Sequence, residues 1–129
     1  MIFLLFTLNE PIKIPIFYIS SPNGLITYCH CPEEPYGGLS RRKKAIEKYK
    51  KIYPELLILD SGDILSPFPN PKKDSMFIEL YKKIPLDAVC LGDQDFVEGF
   101  DFFEKNLKPF IPYVCLNIFL NDKPFVTPY

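Results

Sequence analysis

Three short segments set carboxylates, amides and glycines directly after apolar runs: Ser21-Pro22-Asn23-Gly24, Asp60-Ser61-Gly62-Asp63 and Gly92-Asp93-Gln94-Asp95. Oxygen donors beside glycines suit a hard divalent cation or a phosphate, because the carboxylates supply charge and the glycine lets backbone come close. Such strand ends often hold a metal or a phosphate. The competing use of the same residue types is to fix turns and cap helices. Asp60 and Asp95 suit that structural use better.

A second cluster, Cys29-His30-Cys31, surrounds the single histidine and offers a soft-metal or redox site. Zinc takes four ligands, and a disulfide across one intervening residue is strained. A loop with partly exposed thiols is the plainer reading. Cys90 and Cys115 lie inside apolar runs and read as core thiols. Gly37-Gly38 stand ahead of Arg41-Arg42-Lys43-Lys44 at a helix start. Helix N-termini favour anions, so Gly37, Gly38 and Arg41 form a candidate anion site. A solvated basic helix face is the alternative.

The elements that must carry these residues alternate short apolar runs with helical patterns, which predicts an α/β fold with a mainly parallel sheet and flanking helices. Strands are expected over residues 16–20, 56–59, 88–91 and 113–118. Helices are expected over 40–53, with Leu39, Ile46, Tyr49 and Tyr53 on one face; over 75–83, with Asp74 as N-cap; and over 99–106, with Phe100 and Phe103 inward. Residues 1–8 read as a core or edge strand, and the tail after 123 as extended. In open α/β sheets ligands bind beyond the carboxyl ends of the strands. The three polar segments are therefore expected to build one shared rim.

At 129 residues the chain makes one domain. Its net charge of −1 provides no field for a nucleic-acid polymer. The apolar start is too short to span a bilayer. It also lacks the basic lead and cleavage site of a signal peptide. The chain reads as cytoplasmic, or as periplasmic should its start be truncated.

Taken in order, Cys29-His30-Cys31-Pro32, Gly37-Gly38-Leu39-Ser40-Arg41-Arg42, the run Leu56-Leu57-Ile58-Leu59-Asp60-Ser61-Gly62-Asp63, Leu91-Gly92-Asp93-Gln94-Asp95-Phe96 and Tyr113-Val114-Cys115-Leu116-Asn117-Ile118 resemble the 5′-nucleotidase-like branch of the calcineurin-like metallophosphoesterases. The resemblance runs over residues 16–129 and implies the N-terminal half of an α-β-β-α sandwich. It implies that Asp63 is the aspartate that bridges two metals. It sets Asp93 where an asparagine ligand stands, and Gln94 where a histidine protonates the leaving group. The first motif, D-x-H-G in the family, reads Ser21-Pro22-Asn23-Gly24 here. The histidines that complete the family's metal site would lie beyond Tyr129.

An amide cannot release a proton near neutral pH, so the role of that histidine is lost. The resemblance implies a degenerate relative with a residual metal or anion-binding rim and a ligand- or protein-binding role, in which Asp63 and Asp93, with Asn23 as a neutral ligand, hold one ion such as Mn²⁺, Mg²⁺ or Zn²⁺. The alternative is an active metal-dependent phosphoesterase acting on nucleotides or other phosphate esters. Half a sandwich leaves a sheet face uncovered, which predicts a homodimer or a partner chain on that face. A phosphate-containing ligand is the small molecule the rim would take.

Overall fold

The structure is a computed structural model and describes residues 12–28 and 37–128. The expected strand at residues 1–8 and the Cys29-His30-Cys31 cluster lie outside the described residues. Strands β1 (Ile16–Ile19), β2 (Leu57–Asp60), β3 (Ala88–Cys90) and β4 (Tyr113–Val114) form one parallel sheet in the order β1-β2-β3-β4. Three helices follow the first three strands: α1 (Leu39–Ile52), α2 (Pro71–Tyr81) and α3 (Phe100–Asn106).

This strand order decides which side of the sheet is covered. A crossover between parallel strands is right-handed almost without exception. Strands laid down in sequential order therefore send every crossover helix to the same face. The core lies there, between Ile19, Ile58, Val89 and Tyr113 on the strands and Leu39, Ile46, Phe77, Tyr81 and Phe103 on the helices. Phe125 of the tail closes one end, packing on Phe103 at 5.5 Å between ring centroids.

The opposite face presents Ile16 and Tyr18 of β1, Leu57 and Leu59 of β2, Ala88 and Cys90 of β3, and Val114 of β4. Alternation along a strand sends these side chains away from the helices. Tyr18 is 64 % exposed and Ile16 56 %. Parallel sheets are normally covered on both faces, so this surface is unusual.

Several expectations need correction. Helix α2 begins at Pro71, not near residue 75, and its N-cap is Asn70, whose side chain accepts the Lys73 N–H at 3.1 Å. Pro71 at the first helical position has no N–H to lose, so it starts the helix rather than preceding it. Asp74 sits inside the first turn, fully buried, and accepts the Ser66 hydroxyl at 2.8 Å. Tyr49 and Tyr53 are half exposed, as is Phe100. Cys90 is an exposed thiol and Cys115 a half-buried one, not core residues. Cys90 itself stands on the uncovered face, alternating with the buried Val89.

The expected strand over 113–118 stops after two residues. The start of the extended tail forms a hairpin, with β5 (Phe119–Leu120) paired to β6 (Lys123–Pro124), and Thr127 makes a parallel bridge to Val114. Asn121 and Asp122 turn the hairpin with φ of 51° and 61°. Paired positive φ values mark the tight hairpin turn that asparagine and aspartate tolerate.

Candidate functional site

The three polar segments meet beyond the carboxyl ends of β1, β2 and β3. The first is tied to the second by backbone: Asn23 N–H donates to the Asp63 carbonyl at 3.1 Å, and Gly24 N–H to the Ile64 carbonyl at 2.8 Å. Side chains tie the second to the third. The Asp63 Oδ1 accepts the Gln94 N–H at 3.3 Å. The Asp95 carboxylate accepts the Ile64 N–H through Oδ1 and the Gly92 N–H through Oδ2, each at 2.9 Å.

Local backbone explains why these residue types occur. Asn23 and Asp63 both have positive φ, at 51° and 54°. That region is costly for most side chains and most accessible to asparagine, aspartate and glycine. Gly62 has φ of 88°, and a Cβ there would strike the Cys90 carbonyl oxygen. A Cβ on Gly92 would strike the Asp63 carboxylate. The close packing of the second and third loops thus needs both glycines.

Two of the four rim carboxylates are consumed by structure. Asp60 is buried, accepts the Gly62 N–H at 3.1 Å and takes the Tyr81 hydroxyl at 2.5 Å. Burial still raises its pKa above the ordinary value, against the pull of these bonds and of the Arg42 guanidinium. Asp95 is fully buried. Burial pushes its carboxyl up to about 6, and the neighbouring Asp63 and Asp60 charges add to the rise. Its two N–H partners pull the other way without cancelling it. Asp95 is therefore a fastener between loops, in line with its expected structural use, and Asp60 fixes its turn as expected.

That leaves Asp63, Asp93 and Asn23 for a ligand. Asp63 is partly exposed with one oxygen engaged by Gln94, while Asp93 and Asn23 are exposed. Gln94 turns its side-chain oxygen into a buried position with no hydrogen-bond partner. That oxygen can accept a hydrogen bond or weakly ligate a cation, but it cannot protonate a leaving group. Among the described residues no group of three or more His, Cys, Asp or Glu side chains is placed to hold a metal ion. The donors among the described residues do not fit a two-ion centre.

The candidate anion residues lie elsewhere. Arg41 stacks its guanidinium on the Tyr28 ring, 5.2 Å from the centroid. The first free N–H of α1, on Leu39, is given to the Ile26 carbonyl at 3.0 Å. Gly38, with φ of 84°, lies against the Thr27 and Tyr28 backbone. The double glycine thus docks the helix start on the preceding loop. Arg42, read from the sequence only as part of the basic run 41–44, has a buried guanidinium nitrogen without a partner and acts on Asp60. Its neighbours in sequence are solvated lysines and Arg41, so nothing marked it out.

The backbone has a counterpart among solved structures. A crystal structure of the calcineurin-like phosphoesterase YfkN from Bacillus subtilis superposes with a TM-score of 0.67 at 20 % identity. The fold is part of a phosphoesterase fold. The match takes in 89 % of this chain and 40 % of that one. It supports the sequence resemblance in its order of strands and helices, and at this identity it speaks for fold alone. No protein-family model matches the chain. No curated protein matches it either. Among the described residues no helix is long and apolar enough to cross a membrane.

Proposed function

We propose that this chain is a non-catalytic relative of the calcineurin-like phosphoesterases, a binding protein that keeps the loop scaffold of their metal rim. The observation that carries the reading is Gln94. Its N–H holds Asp63 Oδ1, and its side chain is an amide in the position where the resemblance implies a proton-donating histidine. Hydrolysis through two ions requires both close together, to stabilise the attacking and leaving oxygens. With Asp60 and Asp95 spent on loop closure, Asp63, Asp93 and Asn23 suffice for one weakly held hard cation, through which a phosphate-containing ligand would bind. Gly37, Gly38 and Arg41 would contribute at most a peripheral anion contact. The uncovered sheet face supplies a second surface, for a protein partner.

The competing reading, a metal-dependent phosphoesterase acting on nucleotides or other phosphate esters, retains the convergence of the three loops in its favour. It requires donors from outside the described residues. An assay of a generic phosphomonoester and phosphodiester with Mn²⁺, Mg²⁺, Zn²⁺ and Fe²⁺ separates the two. The binding reading predicts no turnover above that of metal alone. Metal-dependent turnover abolished in Asp63→Ala would replace it with the enzyme.

A further inference from the structure

We propose that Asp74 and Glu98 share one proton, and that this proton clasps the three loops of the rim to one another and to the start of α2. The inference goes beyond the binding reading above and does not rest on it.

Asp74 is the node. Its side chain is fully buried in the first turn of α2. Oδ1 accepts the Ser66 hydroxyl at 2.8 Å and the Ser66 N–H at 3.3 Å, which holds the loop after β2. A Cβ on Gly24 would lie 3.3 Å from the same oxygen, so the loop after β1 packs directly on it. The loop after β3 reaches α2 through Glu98, whose Oε1 accepts the Asn70 N–H. The Asn70 carbonyl in turn accepts the Asp74 N–H at 2.9 Å. One residue thus holds the two carboxyl groups side by side, within hydrogen-bonding reach of each other.

Two carboxylates cannot bond to each other, because each offers only acceptors. Asp74 Oδ2 carries the consequence: it is buried without a hydrogen-bond partner. Buried acceptors in native proteins are nearly always paired. Neighbouring cations do not supply the donor. Lys73 is the charged side chain that α2 brings beside the pair, and its ammonium donates to Ser66 Oγ at 2.9 Å. Among the described residues no ion pair joins Lys73 to Asp74 or Glu98. Ser66 and Gly24, which the other two loops bring, carry no charge. The Lys73 ammonium also repels a metal ion from the gap.

A proton meets the need. Two carboxyl groups this close do not both ionise, so one keeps its proton. Glu98 is the holder: it is half-buried and exchanges protons with water, while Asp74 stays the acceptor with Oδ1 on both Ser66 donors. The Glu98 carboxyl then donates to Asp74 Oδ2, and the orphan is satisfied. Burial raises the Glu98 pKa above its ordinary 4.5, the Asn70 N–H pulls it back, and the Asp74 carboxylate raises it again. The clasp is therefore complete below 4.5 and is lost as pH rises through the raised folded value. The loop it releases carries Asp93 and Gln94, so the proton governs how firmly the rim donors are held.

Carboxyl-carbon NMR of the full chain across pH tests this, in wild type, Asp74→Asn and Glu98→Gln. In the wild type Glu98 is expected to titrate above 4.5, and the Asn70 amide shift to follow the same curve. Asp74→Asn removes the charge that holds the proton, so the midpoint should fall to the ordinary value or below. Glu98→Gln gives Asp74 Oδ2 a permanent donor, so the Asn70 shift should lose its titration. Amide hydrogen exchange at Ser66 and Gly24 should speed up above the midpoint in the wild type, beyond the intrinsic effect of pH, and not in Glu98→Gln. A wild-type midpoint at or below 4.5 would overturn the proposal, as would a midpoint unmoved in Asp74→Asn. Should Asp74→Asn fail to fold, Glu98→Gln decides alone: exchange identical to the wild type on both sides of the midpoint would remove the clasp. A midpoint that drops on addition of Ca²⁺ or Mg²⁺ would put a cation in place of the proton and equally overturn it. Phosphoesterase assays on the same samples bear on the non-catalytic reading alone, so either account can fail without the other.

Discussion

Asp95 and Ile64 stand 31 residues apart in the chain, and the buried carboxylate of the first accepts the amide N–H of the second at 2.9 Å. With its other oxygen on the Gly92 N–H, Asp95 staples the loop after β2 to the loop after β3. Removing it strands two donors, one buried and one partly buried. Asp95→Ala is expected to lower the unfolding free energy by about 3–5 kcal/mol, the combined cost of two unsatisfied N–H groups. Urea denaturation of both proteins gives the difference directly. A loss below about 1 kcal/mol would mean that water replaces the carboxylate.

The same residue sets a pH dependence. Its folded pKa, about 6, lies above the ordinary 3.8. The folded protein thus holds this proton more tightly than the unfolded chain. The resulting stabilisation is complete below the unfolded value and is lost as pH rises through about 6. Asp60 and Glu98 are shifted in the same direction. The chain should therefore be more stable in mild acid than at neutral pH, with Asp95 contributing on the order of 2–3 kcal/mol. Melting temperatures across this window, for wild type and Asp95→Asn, measure it. The asparagine variant should show a flatter profile.

Gly62→Ala and Gly92→Ala test the packing of the second loop on the third. Alanine at Gly62 meets both a positive φ and the Cys90 carbonyl. A loss of about 2 kcal/mol or more is expected from strain and displacement together. Gly92→Ala should instead push the Asp63 carboxylate aside. Chemical-shift changes at Asp63 and Gln94 should exceed those at the distant Asn70 cap.

Tyr81→Phe removes the hydroxyl that donates to Asp60. The carboxylate is left buried with backbone donors alone. About 1–3 kcal/mol should be lost at neutral pH. The loss should shrink on acidification, as the buried carboxyl becomes neutral. Thermal melts of the two proteins at neutral and mildly acidic pH read both effects.

Much of this arrangement was legible in the sequence, because strand ends followed by glycine and aspartate mark both a turn and a rim. The parallel sheet, the order of elements and the convergence of three loops all follow from alternation and turn chemistry. The division of labour among the aspartates does not. Asp60, Asp63, Asp93 and Asp95 are one residue type in two similar motifs, and only burial separates the fasteners from the free donors. The start of α2 is not legible because Pro71 reads equally as a loop residue or as a first helical position. The exposure of Cys90 is not legible either, because an apolar strand buried on both faces looks the same in sequence as one covered on a single face. The distinction arises from the β1-β2-β3-β4 order, a property of topology and not of any local stretch.

The central claim is that the rim has lost its two-ion chemistry, and calorimetric titration of metal-free protein with Mn²⁺ tests it most directly, with Asp63→Ala alongside. The account predicts at most one weakly bound ion per chain, lost in Asp63→Ala. Two tightly bound ions per chain, both lost in that variant, would contradict it.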